Sequence, residues 1–341
     1  MGVKYPQGVS LRPGGGVVDG PSPWGHSPAR AGPGPDPPRM SSDPHPFLGS
    51  ASEHTRQQLR AARFTRVTRD VYLRAPATAD LRARTVAARL VLPSSVACLG
   101  TAALLTKLPV VDDGTVHLAR PGEAAWSVRQ GITVHRYDVR DDEVLDLAGL
   151  PVTDGPRTLA DLAAYLALEQ LVAVGDVVLR RYGEEAVLEA VRRAARRPGV
   201  VLMRQAVPLL DARAGSPAES RVRVRLHAAG FDRLVPGVRI TDEAGGWLAD
   251  PDLADEEARV AVQHDGDVHF EDDDSGKALR RRRHDAARDD LSRERGWEVV
   301  VSTALDEHHP ERLVDRVAAA YRRAARVLGP HVLPPHLRGA A

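Results

Sequence analysis

The chain has 341 residues, one cysteine, a formal net charge of +1 at pH 7 and a hydrophobic content of 43%. This length accommodates two ordinary globular domains, and the balanced charge excludes a global electrostatic field that attracts nucleic acid. The lone cysteine excludes an intramolecular disulfide and a cysteine-based zinc site. Because no apolar run approaches the roughly 18 residues of a membrane helix and no basic-then-apolar leader is visible, we expect a cytoplasmic protein with no membrane contact.

Residues 1–50 are rich in glycine and proline and show almost no apolar periodicity. A segment of this composition cannot bury enough apolar surface to offset the entropy lost on ordering the chain. We therefore expect residues 1–50 to be a disordered N-terminal extension.

A short helix followed by a hairpin is the first structured unit that the sequence predicts. His54–Ala62 is expected to be the helix, with Leu59 as its apolar anchor, and Phe64–Leu73 alternates apolar and polar residues as paired strands do. This arrangement resembles the end of the winged helix in AbiEi-type antitoxins, which are transcriptional autoregulators of bacterial toxin–antitoxin systems. The resemblance implies DNA and a cognate toxin as partners. Glycine- and proline-rich sequence replaces the preceding helices of that family, so the winged helix is expected to be partial.

Residues 51–200 as a whole are predicted to be a small AbiEi-like α/β module. Two helices are expected within residues 78–108, and Ser94 or Ser95 would cap the second of them. The remaining elements are predicted to be three strands and a final group of helices, at Val116–Ala119, Ile132–Arg136, Leu150–Thr153 and residues 156–197. Residues 201–213 would then connect this module to the next.

Residues 214–328 are predicted to form a second domain, in which helices flank a sheet. Ser216 and Pro217 precede Glu219 in the pattern of a helix N-terminus with a capping box, and Gly230 would end that helix. The other elements are predicted to be three strands and a final amphipathic helix, at Trp247–Leu253, residues 258–266, Trp297–Thr303 and Pro310–Leu328. A capping role explains Glu219 without catalysis, so both interpretations of this residue stay open.

Polar side chains lie at the ends of two of these strands. Asp252 ends the first, and Gln263 and Asp265 end the second, so a hairpin would bring the three together. Two carboxylates and an amide oxygen are hard ligands that suit Mg²⁺ or Mn²⁺, and His264 and His269 would be near enough for proton transfer or phosphate contacts. The alternative is that the aspartates are turn residues and that the histidines have structural roles.

The chain resembles the PD-(D/E)xK nuclease superfamily in the order of Glu219, Pro251-Asp252, Gln263-x-Asp265-Gly266 and His269. It is most similar to the branch that contains very-short-patch-repair endonucleases and a related bacterial domain, domain of unknown function 559. Flanking motifs of that domain are matched at Ser216–Ser220, Arg288-Asp289 and Gly296–Thr303. The resemblance covers residues 214–328 and implies a restriction-endonuclease-like mixed sheet flanked by helices.

The same resemblance implies metal-dependent hydrolysis of a DNA phosphodiester bond. Asp252 would be the principal ligand, Asp265 and Gln263 would complete the metal site, and Glu219 would position the metal or water. Gln263 stands where the family usually has glutamate, and Asp265 replaces the lysine of the superfamily motif, as is usual in this branch. Because glutamine is a neutral and weaker ligand, a weakened nuclease is expected.

A strongly cationic helix is predicted from about Ala278 to Arg295. Arg281, Arg288 and Arg295 recur every seven residues and therefore share one face. That face is expected to contact a DNA backbone. The alternative is a solvated helix in which neighbouring aspartates pair with the arginines.

Together these patterns predict an α+β chain, with a restriction-endonuclease-like mixed sheet preceded by a small α/β module. Residues 329–341 would be a flexible tail. The expected function is that of a metal-dependent DNA endonuclease of the very-short-patch-repair-like type. The alternatives are a non-catalytic DNA-binding transcriptional regulator of the AbiEi antitoxin type and a module that serves protein contacts alone.

Overall fold

The computed structural model describes residues 45–122, 129–241, 245–265 and 296–338. The described residues belong to one compact unit and combine helices with four small sheets, two of which mix parallel and antiparallel pairs. The predicted α+β fold class is therefore confirmed, whereas the division into two domains stays a prediction. Across those ranges, we find no helix with the length and apolar character needed to cross a membrane.

Helices and short strands alternate along the described residues. The helices are α1 Leu81–Val91, α2 Leu99–Leu105, α3 Gly155–Leu162, α4 Leu168–Tyr182, α5 Glu184–Arg193, α6 Val200–Ala206, α7 Pro217–Ala228, α8 Leu305–His308, α9 Pro310–Leu328 and α10 Pro335–Arg338. The strands are β1 Phe47–Leu48, β2 Phe64–Thr68, β3 Val71–Arg74, β4 Val96–Ala97, β5 Val116–Ala119, β6 Ile132–His135, β7 Val144–Asp146, β8 Pro151–Thr153, β9 Ile240–Thr241, β10 Trp247–Ala249, β11 Leu253–Asp255, β12 Val260–Asp265 and β13 Glu298–Thr303. Short 3-10 turns lie at Gly49–Ala51, Gln58–Arg60, Asp141–Glu143, Val207–Leu209 and Pro330–Val332.

An antiparallel sheet in the order β1-β3-β2 contains the predicted hairpin, whose strands are β2 and β3. The helix expected over His54–Ala62 is wrong, because only a single 3-10 turn forms at Gln58–Arg60. Leu59 in that turn is buried, as expected of an apolar anchor. One anchor stabilises one turn, whereas a longer helix needs an apolar stripe along several turns.

The flexible segments predicted at the two termini both include residues that are ordered in the structure. In the expected extension at residues 1–50, Phe47 already belongs to β1 and pairs with β3, and the part before residue 45 lies outside the described residues. In the expected tail at residues 329–341, a 3-10 turn and α10 bury Val332 and Leu337 against the core. These few apolar side chains are enough to order the backbone that carries them.

A mixed sheet in the order β6-β5-β4-β8-β7 contains all three strands expected in the first module. The sequence pattern missed β4 and β7, which are too short to show alternation. The cap expected from Ser94 or Ser95 is wrong, because β4 follows directly and α2 begins after Cys98 without a side-chain cap. The hydroxyl of Ser95 instead donates a 2.7 Å hydrogen bond to the carbonyl of Leu92.

The second core lies between α7, α9 and the three-stranded sheet β11-β12-β13. Strands β11 and β12 are antiparallel neighbours, and β12 runs parallel to β13. The single strand expected at Trp247–Leu253 is wrong, because Pro251 separates β10 from β11 and β10 pairs with β9 in another sheet. Helix α9 has the predicted bounds, and its Tyr321 is fully buried against Phe231, with ring centroids 5.3 Å apart.

Helix α4 of the first predicted module packs against α7 of the second. A buried ion pair crosses this contact, with 2.7 Å between Nη2 of Arg223 and Oδ2 of Asp176. The backbone N–H of Asp211, in the predicted connector, donates to the other oxygen of Asp176 at 2.7 Å. The two predicted modules therefore share a buried and charged contact.

Candidate functional site

Asp252 lies directly before β11 and opposite the end of β12. The antiparallel register pairs Leu253 with Val262, and this places Asp252 beside Gln263. Nε2 of Gln263 donates to Oδ2 of Asp252 at 2.9 Å, and the backbone N–H of His264 donates to the same oxygen. The hairpin thus joins Asp252 and Gln263 as the sequence predicted, but Gln263 turns its amide nitrogen, and not its oxygen, toward the carboxylate.

Burial raises the pKa of the Asp252 carboxyl to about 6, because the charged form loses water. The negative charge of Glu219 raises the pKa further, whereas the hydrogen bonds from His264 and Gln263 oppose this change. A buried carboxylate with a second carboxylate nearby is costly in the absence of a cation. Such a pairing is typical of sites at which a cation or a proton is held.

Glu219 lies in the first turn of α7, and its backbone N–H is bound by the predicted cap. The N–H of Glu219 donates to Oγ of Ser216 at 3.2 Å, which confirms Ser216 as the N-cap. Oε2 of Glu219 accepts a 2.8 Å hydrogen bond from the N–H of Gly215, one residue before the N-cap, and not from Ser216 as a capping box requires. The N-cap half of the predicted capping box is thus present, and Glu219 in this first turn lies close enough to Asp252 to raise the pKa of that carboxyl.

Strand alternation separates the other predicted site residues into two groups. Gln263 and Asp265 lie two residues apart on β12 and therefore share a face, whereas His264 lies on the opposite face. Nδ1 of His264 is 3.3 Å from Oγ of the buried Ser302 on β13. The structure thus places Gln263 and Asp265 together and gives His264 a separate, half-buried environment.

The environment of His264 contains residues that the sequence did not single out. Arg221 of α7 forms an ion pair with Glu307 of α8. Hydrogen bonding from Arg221 lowers the pKa of the Glu307 carboxyl, and the nearby His264 contributes to the same shift. Arg221 and Glu307 are 86 residues apart in the chain, so no local pattern could have paired them.

The side chains at this end of the hairpin carry oxygen atoms of the type that a hard divalent cation prefers. Oδ1 of Asp252 and Oε1 of Gln263 accept no hydrogen bond from the described residues, and Asp265 is exposed at the end of β12. Two carboxylates and an amide oxygen, completed by water, suit Mg²⁺ or Mn²⁺. In the part of the chain that the structure covers, no group of three or more histidine, cysteine, aspartate or glutamate side chains is arranged for a metal.

The remaining predicted site residues lie outside the described residues. They are His269 and the arginines of the predicted cationic helix, Arg281, Arg288 and Arg295. Their expected roles in proton transfer and in contacts with a DNA backbone stay predictions.

A chain of hydrogen-bonding side chains outside this site joins the loop before β5 to β6. Nε2 of His117 lies 2.9 Å from Oδ2 of Asp113, and Nδ1 of His117 lies 3.0 Å from Nε2 of His135. Burial lowers the pKa of His135, and the neighbouring His117 lowers it further. Every nitrogen of His117 is thus engaged within the protein.

No protein-family model matches the chain. Two uncharacterized proteins of Mycobacterium tuberculosis, from different strains, are each 29% identical to it over 235 residues. The similarity covers 67% of this chain and 82% of each relative. The names of these relatives state no activity, so the resemblances to AbiEi-type antitoxins and to very-short-patch-repair endonucleases stay predictions.

Proposed function

We propose that this protein is a metal-dependent DNA endonuclease with weakened activity. The observation that carries the proposal is the pairing of Asp252 with Gln263 at the end of β12, beside Glu219. Asp265 follows on the same strand face and would complete the ligand set. Mg²⁺ or Mn²⁺ is the cofactor that these oxygen atoms suit.

Each residue of the proposed site has a specific task. When bound, the divalent cation supplies charge neutralisation at the phosphate and a lower pKa for a coordinated water. Asp252 and Asp265 would hold the cation, and Gln263 would contribute its amide oxygen. Glu219, kept near Asp252 by the helix cap, would orient water toward the phosphorus. The neutral Gln263 contributes less attraction for the cation than a glutamate would, so we expect slow hydrolysis.

The second candidate is a non-catalytic DNA-binding regulator of the AbiEi antitoxin type, which would also have a cognate toxin as partner. The hydrogen bond from the Gln263 amide to Asp252 favours it, because that contact gives Oδ2 of the carboxylate a partner other than a cation. In this case the nuclease-like fold would hold DNA without cleaving it.

A nicking assay separates the two candidates. Supercoiled plasmid and a mismatched duplex are incubated with Mn²⁺ and either the wild type, Asp252→Ala or Gln263→Glu. Asp250→Ala is the matched control, because Asp250 lies two residues from Asp252 but is exposed and paired with Arg239. We expect cleavage by the wild type and the control, none by Asp252→Ala, and faster cleavage by Gln263→Glu.

The glutamate variant is the most informative of these. It places a second carboxylate at the position of the amide and so increases attraction for the cation. If none of the four proteins cleaves DNA and all bind it, the endonuclease proposal is refuted and the regulator is favoured. If Asp252→Ala cleaves as fast as the wild type, the activity belongs to other residues or to a contaminant.

A further inference from the structure

A cavity of about 510 Å³ lies where the loop after α2 meets α4, α7 and α8. Its volume falls within the range of pockets that enclose small ligands, about 300–1,000 Å³. Buried apolar side chains line one part of it, including Leu99, Leu162 and Ala173. Its wall therefore offers a surface against which an apolar or aromatic group can pack.

The opposite part of the cavity is polar and carries an exposed aromatic ring. Tyr165 lines the cavity and is 66% exposed, so the face of its ring is available to a ligand. Gln170 uses its amide oxygen to accept from the N–H of Ala167 at 3.3 Å, and its amide nitrogen has no partner among the described residues. An aromatic ring beside a free amide donor is the combination that stacks on a nucleobase and recognises its edge.

The charges that line the cavity are largely paired with one another. Arg225 makes a bidentate contact with Glu169 through Nε and Nη2, at 2.6 and 2.8 Å. Arg221 uses only Nη2 on Glu307, so its other nitrogens have no partner among the described residues. The cavity interior thus favours a neutral group, and the Arg221 guanidinium keeps donors that a phosphate can use.

Glu307 connects the cavity to the proposed catalytic site. It lines the cavity, and it is close enough to His264 on β12 for that histidine to help lower the pKa of its carboxyl. His264 is followed by Asp265 and preceded by Gln263 on the same strand. The cavity therefore adjoins the face of β12 that carries His264, on the strand that carries Gln263 and Asp265 on its other face.

We propose that this cavity binds one unstacked nucleobase of a DNA strand, with the ring stacked on Tyr165 and the adjacent phosphate at Arg221. This inference rests on the proposed nuclease function, since it assigns that site a substrate with a locally unpaired base. An enzyme with such a pocket prefers single-stranded or mismatched DNA, because unstacking a paired base costs a few kcal/mol.

The test uses the full chain, no divalent cation, and a single-stranded DNA octamer that contains one 2-aminopurine. Stacking on Tyr165 changes the fluorescence of this base, and titration gives the dissociation constant. We expect Tyr165→Ala to weaken binding about 5- to 150-fold, which is the effect of losing one base–aromatic stack. Tyr165→Phe is the matched control and should bind within about twofold of the wild type, because it keeps the ring.

A second measurement tests the phosphate contact. Arg221→Gln should make the dependence of log affinity on log salt shallower by about 0.7 per lost phosphate contact on a single strand. Equal binding by Tyr165→Ala and the wild type, or a salt slope that Arg221→Gln leaves unchanged, would overturn the inference.

The two proposals can fail separately. If Tyr165→Ala weakens binding of the octamer while no protein nicks DNA with Mn²⁺, the base pocket stands and the nuclease proposal fails. If Asp252-dependent nicking occurs while Tyr165→Ala binds normally, the nuclease proposal stands and the base pocket is wrong.

Discussion

The raised pKa of Asp252 predicts that replacing this residue with asparagine stabilises the protein at neutral pH. In the native state the carboxyl has a pKa of about 6, compared with about 3.9 in an unfolded chain. The native state therefore holds the proton more tightly, and its stability falls as pH rises between these two values. The difference of about two pKa units between the native and unfolded states corresponds to about 3 kcal/mol of native-state stability, and this contribution is lost completely by pH 7.5.

Asp252→Asn removes this titration without changing the shape of the side chain. Its oxygen can still accept from the N–H of His264, and its amide can donate to Gln263 if that side chain reverses. We expect the variant to exceed the wild type in free energy of unfolding by up to about 3 kcal/mol at pH 7.5, and by almost nothing at pH 4. Urea unfolding followed by circular dichroism at both pH values gives this difference.

Asp250→Asn is the control, and its expected effect on stability at neutral pH has the opposite sign. The hydrogen bond from Arg239 lowers the pKa of the Asp250 carboxyl, so its charged form contributes a small stabilisation at neutral pH that disappears in acid. The reasoning about Asp252 is refuted if Asp252→Asn is less stable than the wild type at pH 7.5. It is also refuted if the stability difference is the same at both pH values.

Three further predictions concern the fold. Asp176→Ala removes the partner of the buried Arg223 and should lower the free energy of unfolding in urea by about 3–5 kcal/mol. Glu189→Ala, at an exposed ion pair on α5, should lower it by less than about 1 kcal/mol, and similar losses in the two variants would contradict the assignment of Asp176 to a buried ion pair. Ser216→Ala should lower the free energy of unfolding by about 1 kcal/mol, because it removes the N-cap acceptor for the N–H of Glu219. Ser216→Thr keeps a hydroxyl acceptor at this position and should retain most of that stability. Tyr321→Phe should cost about 1–2 kcal/mol by removing the 2.8 Å hydrogen bond to Asp255, and an unchanged thermal midpoint would show that this bond contributes nothing.

Local patterns predicted the parts of the fold that depend on residues close in sequence. Helix α9 has the predicted bounds because a proline begins it, a glycine follows it and an apolar stripe runs between them. The contact between Asp252 and Gln263 was predicted for the same reason, since one hairpin joins them. Strands β4 and β7 were missed because two or three residues show no alternation.

The long-range contacts were beyond prediction from one sequence. The ion pair of Arg221 and Glu307 joins residues in different elements, as does the pair of Asp176 and Arg223. Neither pair has a pattern that distinguishes it from a solvated surface charge. Their selection depends on tertiary packing, whereas the position of His264 on the strand face opposite to Gln263 follows from strand alternation alone.

The buried pair across α4 and α7 limits how this chain can evolve by recombination. A gene fusion that exchanged the segment after residue 213 would bring a new α7 against an unchanged α4. Unless the incoming helix carried a guanidinium at the position of Arg223, the Asp176 carboxylate would remain in an apolar contact with no counter-charge. The two halves are therefore expected to be inherited together, and an ancestral joining of separate genes would have required both charges to appear as a matched set.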